Sequence, residues 1–150
     1  MVLGLIFHPH RGTIVTVSFD QGFKEPEMVK TRLCVVISPK IQARPGLCTV
    51  VPFSMTPPQS VQPYHCELDI PFTIPEPWGN KRRWVKGDMI CAVGFHRVNL
   101  IRLGKDETGK RIYQTTVLPT KQMESISNCV LYGLGLPPLT EQKDKAMLKE

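Results

Sequence analysis

Within the stretch EMVKTRLCVVISPK, residues 27–40, two cations, Lys30 and Arg32, stand directly before the apolar run Leu33 to Ile37. An arginine at the mouth of a buried strand has its stem packed and its guanidinium held, an arrangement suited to a bidentate clamp on phosphate. The ordinary alternative is an ion pair with Glu25 or Glu27 of the same loop. A second loaded segment, KRRWVK, gathers Lys81, Arg82, Arg83 and Lys86 around Trp84. Cations attract phosphates and an indole offers a stacking face, the pairing used on single-stranded RNA; the alternative is a solvated basic loop beside a core tryptophan. His8, His10, His65 and His96 lack the paired spacing of a zinc site, so no metal is expected and the histidines read as surface or partly buried. No phosphate-binding glycine loop and no G-x-S-x-G occurs, which leaves nucleotide-dependent and triad-hydrolase chemistry without a motif.

The chain of 150 residues carries 19 Lys plus Arg against 13 Asp plus Glu, a formal charge of +6. Cations and anions balance in the tail 141–150, so the excess belongs to the body and suits a polyanionic partner, nucleic acid or an acidic protein. The 5 cysteines are odd in number, widely spaced and mostly in apolar runs, the usage of buried thiols in a reducing compartment. MVLGLIF has no basic flank and is too short for a signal segment, and no window approaches the ~18 apolar residues that span a bilayer. A cytoplasmic protein without a membrane segment is expected.

The elements that must position these groups are mainly strands. GTIVTVSFD, residues 12–20, is β-branched and alternating and predicts a half-buried strand; RLCVVIS predicts a central strand and LCTVVPFS its antiparallel neighbour across PKIQARPG. Pro52 predicts a bulge or an edge in that neighbour. The proline-rich segment from Pro57 to Pro77 reads as irregular, with YHCELDI a short strand inside it. WVKGDMICAVGF and GKRIYQTTVL are further strand candidates. Met123, Ile126, Val130, Leu131 and Leu134 recur at helical spacing after Thr120, a candidate N-cap, with Gly133 and Gly135 as the stop. The pattern predicts one domain over 1–150, core 8–140 and a frayed charged tail at 141–150. Five to seven short strands and one C-terminal helix predict a small α+β barrel.

RGTIVTVSFD, then GFKEPEMVKTRLCVVISP, then GLCTVVPFS, closely resembles in its order the PemK/MazF family of toxin–antitoxin ribonucleases, and the likeness extends through WVKGDM, GKRIY and CVLYGLGLPPLT. The resemblance implies an α+β fold, an SH3-like antiparallel barrel of the MazF/CcdB kind with a C-terminal helix. It implies a homodimer that cuts single-stranded RNA without metal or cofactor and is neutralised by an acidic antitoxin. The family's catalytic arginine and strand-end hydroxyl match Arg32 and Ser54, its cation-preceded carboxylate matches Asp88, and its loop glutamate matches Glu25. Candidate RNA contacts are Arg11, Lys24, Lys30, Thr56, Arg83, Trp84, Lys86 and Arg97. The family's Arg-Pro reads Arg32-Leu33 here, and losing the proline that presets the incoming chain predicts a somewhat looser arginine. Two alternatives stand beside the ribonuclease: a non-catalytic barrel that holds RNA or protein, and a gyrase poison like CcdB.

Overall fold

A computed structural model describes residues 4–139. The expected frayed tail, and the first three residues of MVLGLIF, lie outside the described residues. Among the described residues nine strands and one α-helix follow in order: β1 Ile14–Ser18, β2 Thr31–Val36, β3 Leu47–Ser54, β4 His65–Leu68, β5 Arg83–Lys86, β6 Cys91–Gly94, β7 Val98–Leu100, β8 Arg102–Lys105, β9 Arg111–Tyr113 and α1 Thr120–Gly133. The run WVKGDMICAVGF, which reads as one strand in sequence, is broken into β5 and β6 by a 3₁₀ turn at Gly87–Met89.

The main sheet has the path β4-β5-β3-β2-β1-β7, with β6 branching from β3, and β8 and β9 form a separate hairpin. All pairings are antiparallel. The expectation of a closed barrel is therefore corrected: β4 and β7 are the two ends of the path and do not pair, so the sheets remain open. The reason lies in β3. Its outer edge serves β6 through Leu47 to Val50 and then β5 through Phe53 and Ser54, which leaves Val51 and Pro52 unpaired on that side. Proline has no N–H for a ladder, so the edge divides there and the sheet splays into two branches instead of continuing around.

Apolar residues cover both faces of the sheet. Ile14, Leu33, Val35, Val51, Phe53 and Val85 pack with Met123, Ile126 and Cys129 of α1. Val15, Val17, Phe19, Cys34, Val36 and Val50 pack on the other face with Val93 and Val98. β1 is thus buried on both sides over most of its length, more than its alternation predicted, because Phe19, Met28 and Val93, with Phe23 and Phe95, pack over the second face.

The helix begins at Thr120 with Pro119 as its N-cap and no capping side chain, so Thr120 lies inside the helix instead of capping it. Met123, Ile126, Cys129 and Val130 form the buried stripe; Leu134 stands outside it because the helix has already turned off. That stop is a Schellman turn: Gly135 at φ 75° lets its N–H reach Tyr132 O at 3.0 Å and the Leu136 N–H reach Leu131 O at 2.8 Å.

All five cysteines are free thiols, three of them buried. Burial and the neighbouring Cys91 push the Cys48 thiol from 9.0 up to about 11, and burial drives Cys34 well upward. Unfolding releases thiols that ionise near 9.0, so above that pH the unfolded chain holds fewer protons than the folded one and stability falls. Unfolding free energy should decline as pH climbs from 9.0 toward about 11, and Cys48→Ala should flatten part of that slope in urea titrations.

Candidate nucleic-acid interface

Position 32 gets its geometry from the bend that precedes β2. Lys30 adopts φ 71°, an unusual conformation for a long side chain, and its carbonyl accepts the Phe19 N–H at 2.7 Å. One residue earlier, the Val29 carbonyl accepts the Nε of Arg32 at 3.0 Å. The guanidinium is therefore fixed at one nitrogen, and among the described residues its two terminal nitrogens have no hydrogen-bonding partner. No ion pair joins Arg32 to Glu25 or Glu27 among the described residues, so the ordinary alternative for this arginine does not hold. Leu33, in the place of the family's proline, is 2% exposed and pairs with Thr16 in the β1–β2 ladder. A packed side chain and a ladder hold the strand where proline would have preset it.

The register puts Ser54 on the same face of the sheet as Arg32. Val36 faces Val50, Val35 faces Val51 and Cys34 faces Pro52; the ladder ends there, and Arg32 and Ser54 each lie two residues beyond its last pair, on the face of Cys34 and Pro52. Ser54 in turn faces Trp84, and Trp84 faces Glu67. Directly opposed residues share a face, and strands lie about 4.8 Å apart. Ser54, Trp84 and Glu67 therefore form one row across β3, β5 and β4 on the face away from α1, and Arg32 of β2 lies on the same face. Period 2 extends the row along the outer strands. Arg82, Trp84 and Lys86 share this face, with Asp69, Glu67 and His65 opposite them, while Arg83 and Val85 turn the other way. Trp84 is half-buried yet belongs to neither apolar cluster, so its indole is not committed to the core.

Ser54 is engaged locally: its Oγ accepts the Thr56 N–H at 3.1 Å and donates to the Thr56 carbonyl at 3.3 Å, leaving the Thr56 side chain exposed. His65 accepts the Gln62 N–H at Nδ1, 3.1 Å, which puts the proton of the neutral ring on Nε2. Burial and Lys86 hold its pKa below the usual histidine value, with Asp88 pulling the other way. His65 thus presents a donor, not a base.

The remaining expected residues are distributed differently. Lys24 and Glu25 are exposed in a turn closed by the Glu27 N–H on Lys24 O at 2.9 Å, and Lys30 is exposed at the loop's end. Asp88 is exposed in the 3₁₀ turn beside the end of α1, where it faces Gly133. Arg11 donates to Ile37 O at 3.0 Å and to Ser127 Oγ at 2.9 Å, tying the far end of β2 to α1 and away from Arg32. Arg97 donates to Ser18 O and Gln21 O and lies 4.8 Å over Phe23, bracing the β1–β2 loop. Arg83 is only 3% exposed and donates to the carbonyls of Trp78, Gly79 and Lys81, so this cation holds a loop and offers no fork to a ligand.

Sequence reasoning missed Glu67 and Asp69, and it had Arg82 only as one of the cations around Trp84, not as a site residue. Arg82 pairs with Glu67 at 2.7 Å and with Asp69 at 3.3 Å. The signal was the alternation in HCELD and KRRWVK, legible once both are strands facing each other. Among the described residues no three His, Cys, Asp or Glu side chains gather in a group able to hold a metal ion, and no helix is long and apolar enough to cross a membrane.

An open antiparallel sheet backed by one helix, with cations, carboxylates and an indole on the outer part of the face away from α1, defines a small α+β protein. The sequence pattern of the PemK-like, MazF-like toxins of type II toxin–antitoxin systems matches residues 10–132, and the chain belongs to that family. It is 29% identical to the Escherichia coli (strain K12) protein YifN over 127 residues, covering 83% of this chain and 79% of that one. In fold it is similar to the crystal structure of MazF from Deinococcus radiodurans, with a TM-score of 0.58 and 17% identity over 85% of this chain and 97% of that one. It is also similar to a mycobacterial endoribonuclease in complex with its cognate antitoxin, with a TM-score of 0.51 and 17% identity over 87% of this chain and 98% of that one.

Proposed function

We propose that this protein is a growth-inhibiting toxin of a type II toxin–antitoxin system that cleaves single-stranded RNA at the Arg32–Ser54 pair. The observation that carries the reading is the guanidinium tethered through Nε to Val29, its terminal nitrogens unpartnered among the described residues, on the face of the sheet that also carries Ser54.

RNA carries its own nucleophile. The 2′-oxygen attacks phosphorus, the bond to the 5′-oxygen breaks, and the products are a 2′,3′-cyclic phosphate and a 5′-OH. The phosphoryl oxygens gain charge on the way, and a fixed fork plus a hydroxyl donor stabilise that charge more than they stabilise the substrate. Glu25 and Asp88 are the candidate acceptors of the 2′-OH proton, and the departing 5′-oxygen takes a proton from water or from the carboxylic acid so formed to leave as the 5′-OH. Lys30, Lys86 and Trp84 hold the strand, with Lys24 and Thr56 at the border of the site. The family membership supports an acidic antitoxin as partner and a homodimer as the working form.

The test is purified protein on a single-stranded RNA in EDTA, with product ends identified chemically. Cleavage to cyclic phosphate and 5′-OH ends is expected; RNA left intact at high protein concentration would remove the reading. Ser54→Ala should slow cutting by about 10²-fold, the size typical of one lost oxyanion donor, whereas Ser54→Thr should retain most of the rate. Single-turnover rates with both variants check this.

A further inference from the structure

The row does not stop at Trp84. Glu67 faces it from β4, on the same side of the sheet, and its Oε2 is held by Arg82 Nη1 at 2.7 Å. Arg82 is itself braced by Asp69, which receives Nη2 at 3.3 Å and Nε at 3.4 Å. The side chains of Arg82, Glu67 and Asp69 are 64%, 38% and 66% exposed, and a surface pair of this exposure adds little to stability. What the pair does is orient the glutamate: with Oε2 engaged, Oε1 is left as a fixed acceptor beside an indole that no core claims. Trp84 stands one strand spacing from Ser54 and Glu67 two, roughly 10 Å in all, a span of the order of one nucleotide from phosphate to base edge.

Resting on the ribonuclease reading above, we propose that Trp84 and Glu67 form a base-recognition subsite next to the scissile phosphate, selecting a nucleotide whose base carries an exocyclic amine. The base stacks on the indole, and its amine donates to Oε1 of Glu67, as carboxylates accept from the amine of cytosine. Uracil is disfavoured because its one ring N–H lies between two carbonyl oxygens that would face the carboxylate. Arg82 is a positioning residue: it touches no RNA in this scheme and sets the glutamate's direction.

Two measurements test the subsite. The first maps 5′-OH ends on a long single-stranded RNA of mixed sequence. The wild type should cut about tenfold less often where uridine occupies one particular position beside the bond, the discrimination expected of one good base contact. Glu67→Gln, which swaps a pure acceptor for a group that also donates, should erase or reverse the bias at that position alone. Arg82→Ala should weaken it and Arg82→Lys restore part of it, a pattern that loss of a structural contact would not produce.

The second measurement is fluorescence anisotropy with labelled hexamers of rA, rC and rU, which needs no cleavage. Wild type should hold rA and rC about tenfold more tightly than rU, and Glu67→Gln should bring the three within about twofold of one another. RNA cut with the same base preference in wild type and Glu67→Gln overturns the subsite and leaves the ribonuclease standing. Glu67-dependent binding without any cleavage does the reverse. Equal affinity of the wild type for all three hexamers overturns the subsite whether or not RNA is cut.

Discussion

Arg32→Ala should lower RNA cleavage by roughly 10²–10³-fold while leaving the fold and its unfolding midpoint nearly unchanged, the loss expected when one preorganised charge partner of the transition state is removed. The stem of Arg32 is half-buried, but among the described residues the only hydrogen bond of its side chain is the donation from Nε to Val29 O, so little of the fold depends on that side chain. Lysine should not substitute well. Its ammonium is a point charge without a fork, and it cannot both keep the Val29 tether and present two further donors to phosphate. Single-turnover rates for wild type, Arg32→Ala and Arg32→Lys, with circular dichroism of each, separate the chemistry from folding. A variant that folds and still cuts at the wild-type rate would move the site elsewhere on the sheet.

The second large effect is on stability and falls at a glycine. Gly87 begins the 3₁₀ turn between β5 and β6, and its N–H reaches Tyr64 O at 3.0 Å. A β-carbon there would lie 2.5 Å from the carbonyl carbon of Cys129 and 2.7 Å from its oxygen, both main-chain atoms of α1. On the helix side Gly133 is as constrained, since a β-carbon would meet the Asp88 Cα at 2.9 Å. Helix and turn touch backbone to backbone through these two glycines, and neither side can yield by rotating a side chain. Gly87→Val should cost about 3 kcal/mol or more, at the upper end of overpacking penalties, because relief requires moving α1 off the sheet. Urea denaturation and near-ultraviolet dichroism read the loss directly. A Gly87→Val protein with an unchanged midpoint would mean that α1 does not sit against the turn as described.

The strands containing the candidate site were readable from local chemistry. Alternation and β-branching mark β1, the apolar run after Arg32 marks β2, and LCTVVPFS coincides with β3. Pro52 was legible as a disturbance, though its consequence was not: a proline says that a ladder must stop, while which strands then share the divided edge depends on residues forty positions away. The barrel expectation failed for that reason. Closure is a property of which edges meet, and strand patterns carry no information about edges.

Charge was the least readable quantity. Arg82, Arg83 and Lys86 look equivalent in KRRWVK, yet period 2 and register send Arg82 and Lys86 to the open face and fold Arg83 beneath a loop, where three carbonyls accept its hydrogen bonds. Arg11 and Arg97 are likewise bound to main-chain carbonyls that only the folded chain brings to them.

By itself, then, the sequence determined the family, the order of the main strands, the closing helix and the residue types available at the candidate site, because these follow from short-range pattern and ordered motifs. Tertiary structure alone decided that the sheet stays open, that Arg32 is tethered through Val29 and shares a face with Ser54, and that Trp84, Glu67 and Arg82 lie on that face. Those outcomes depend on register between strands distant in sequence, and register is set by how both apolar faces pack.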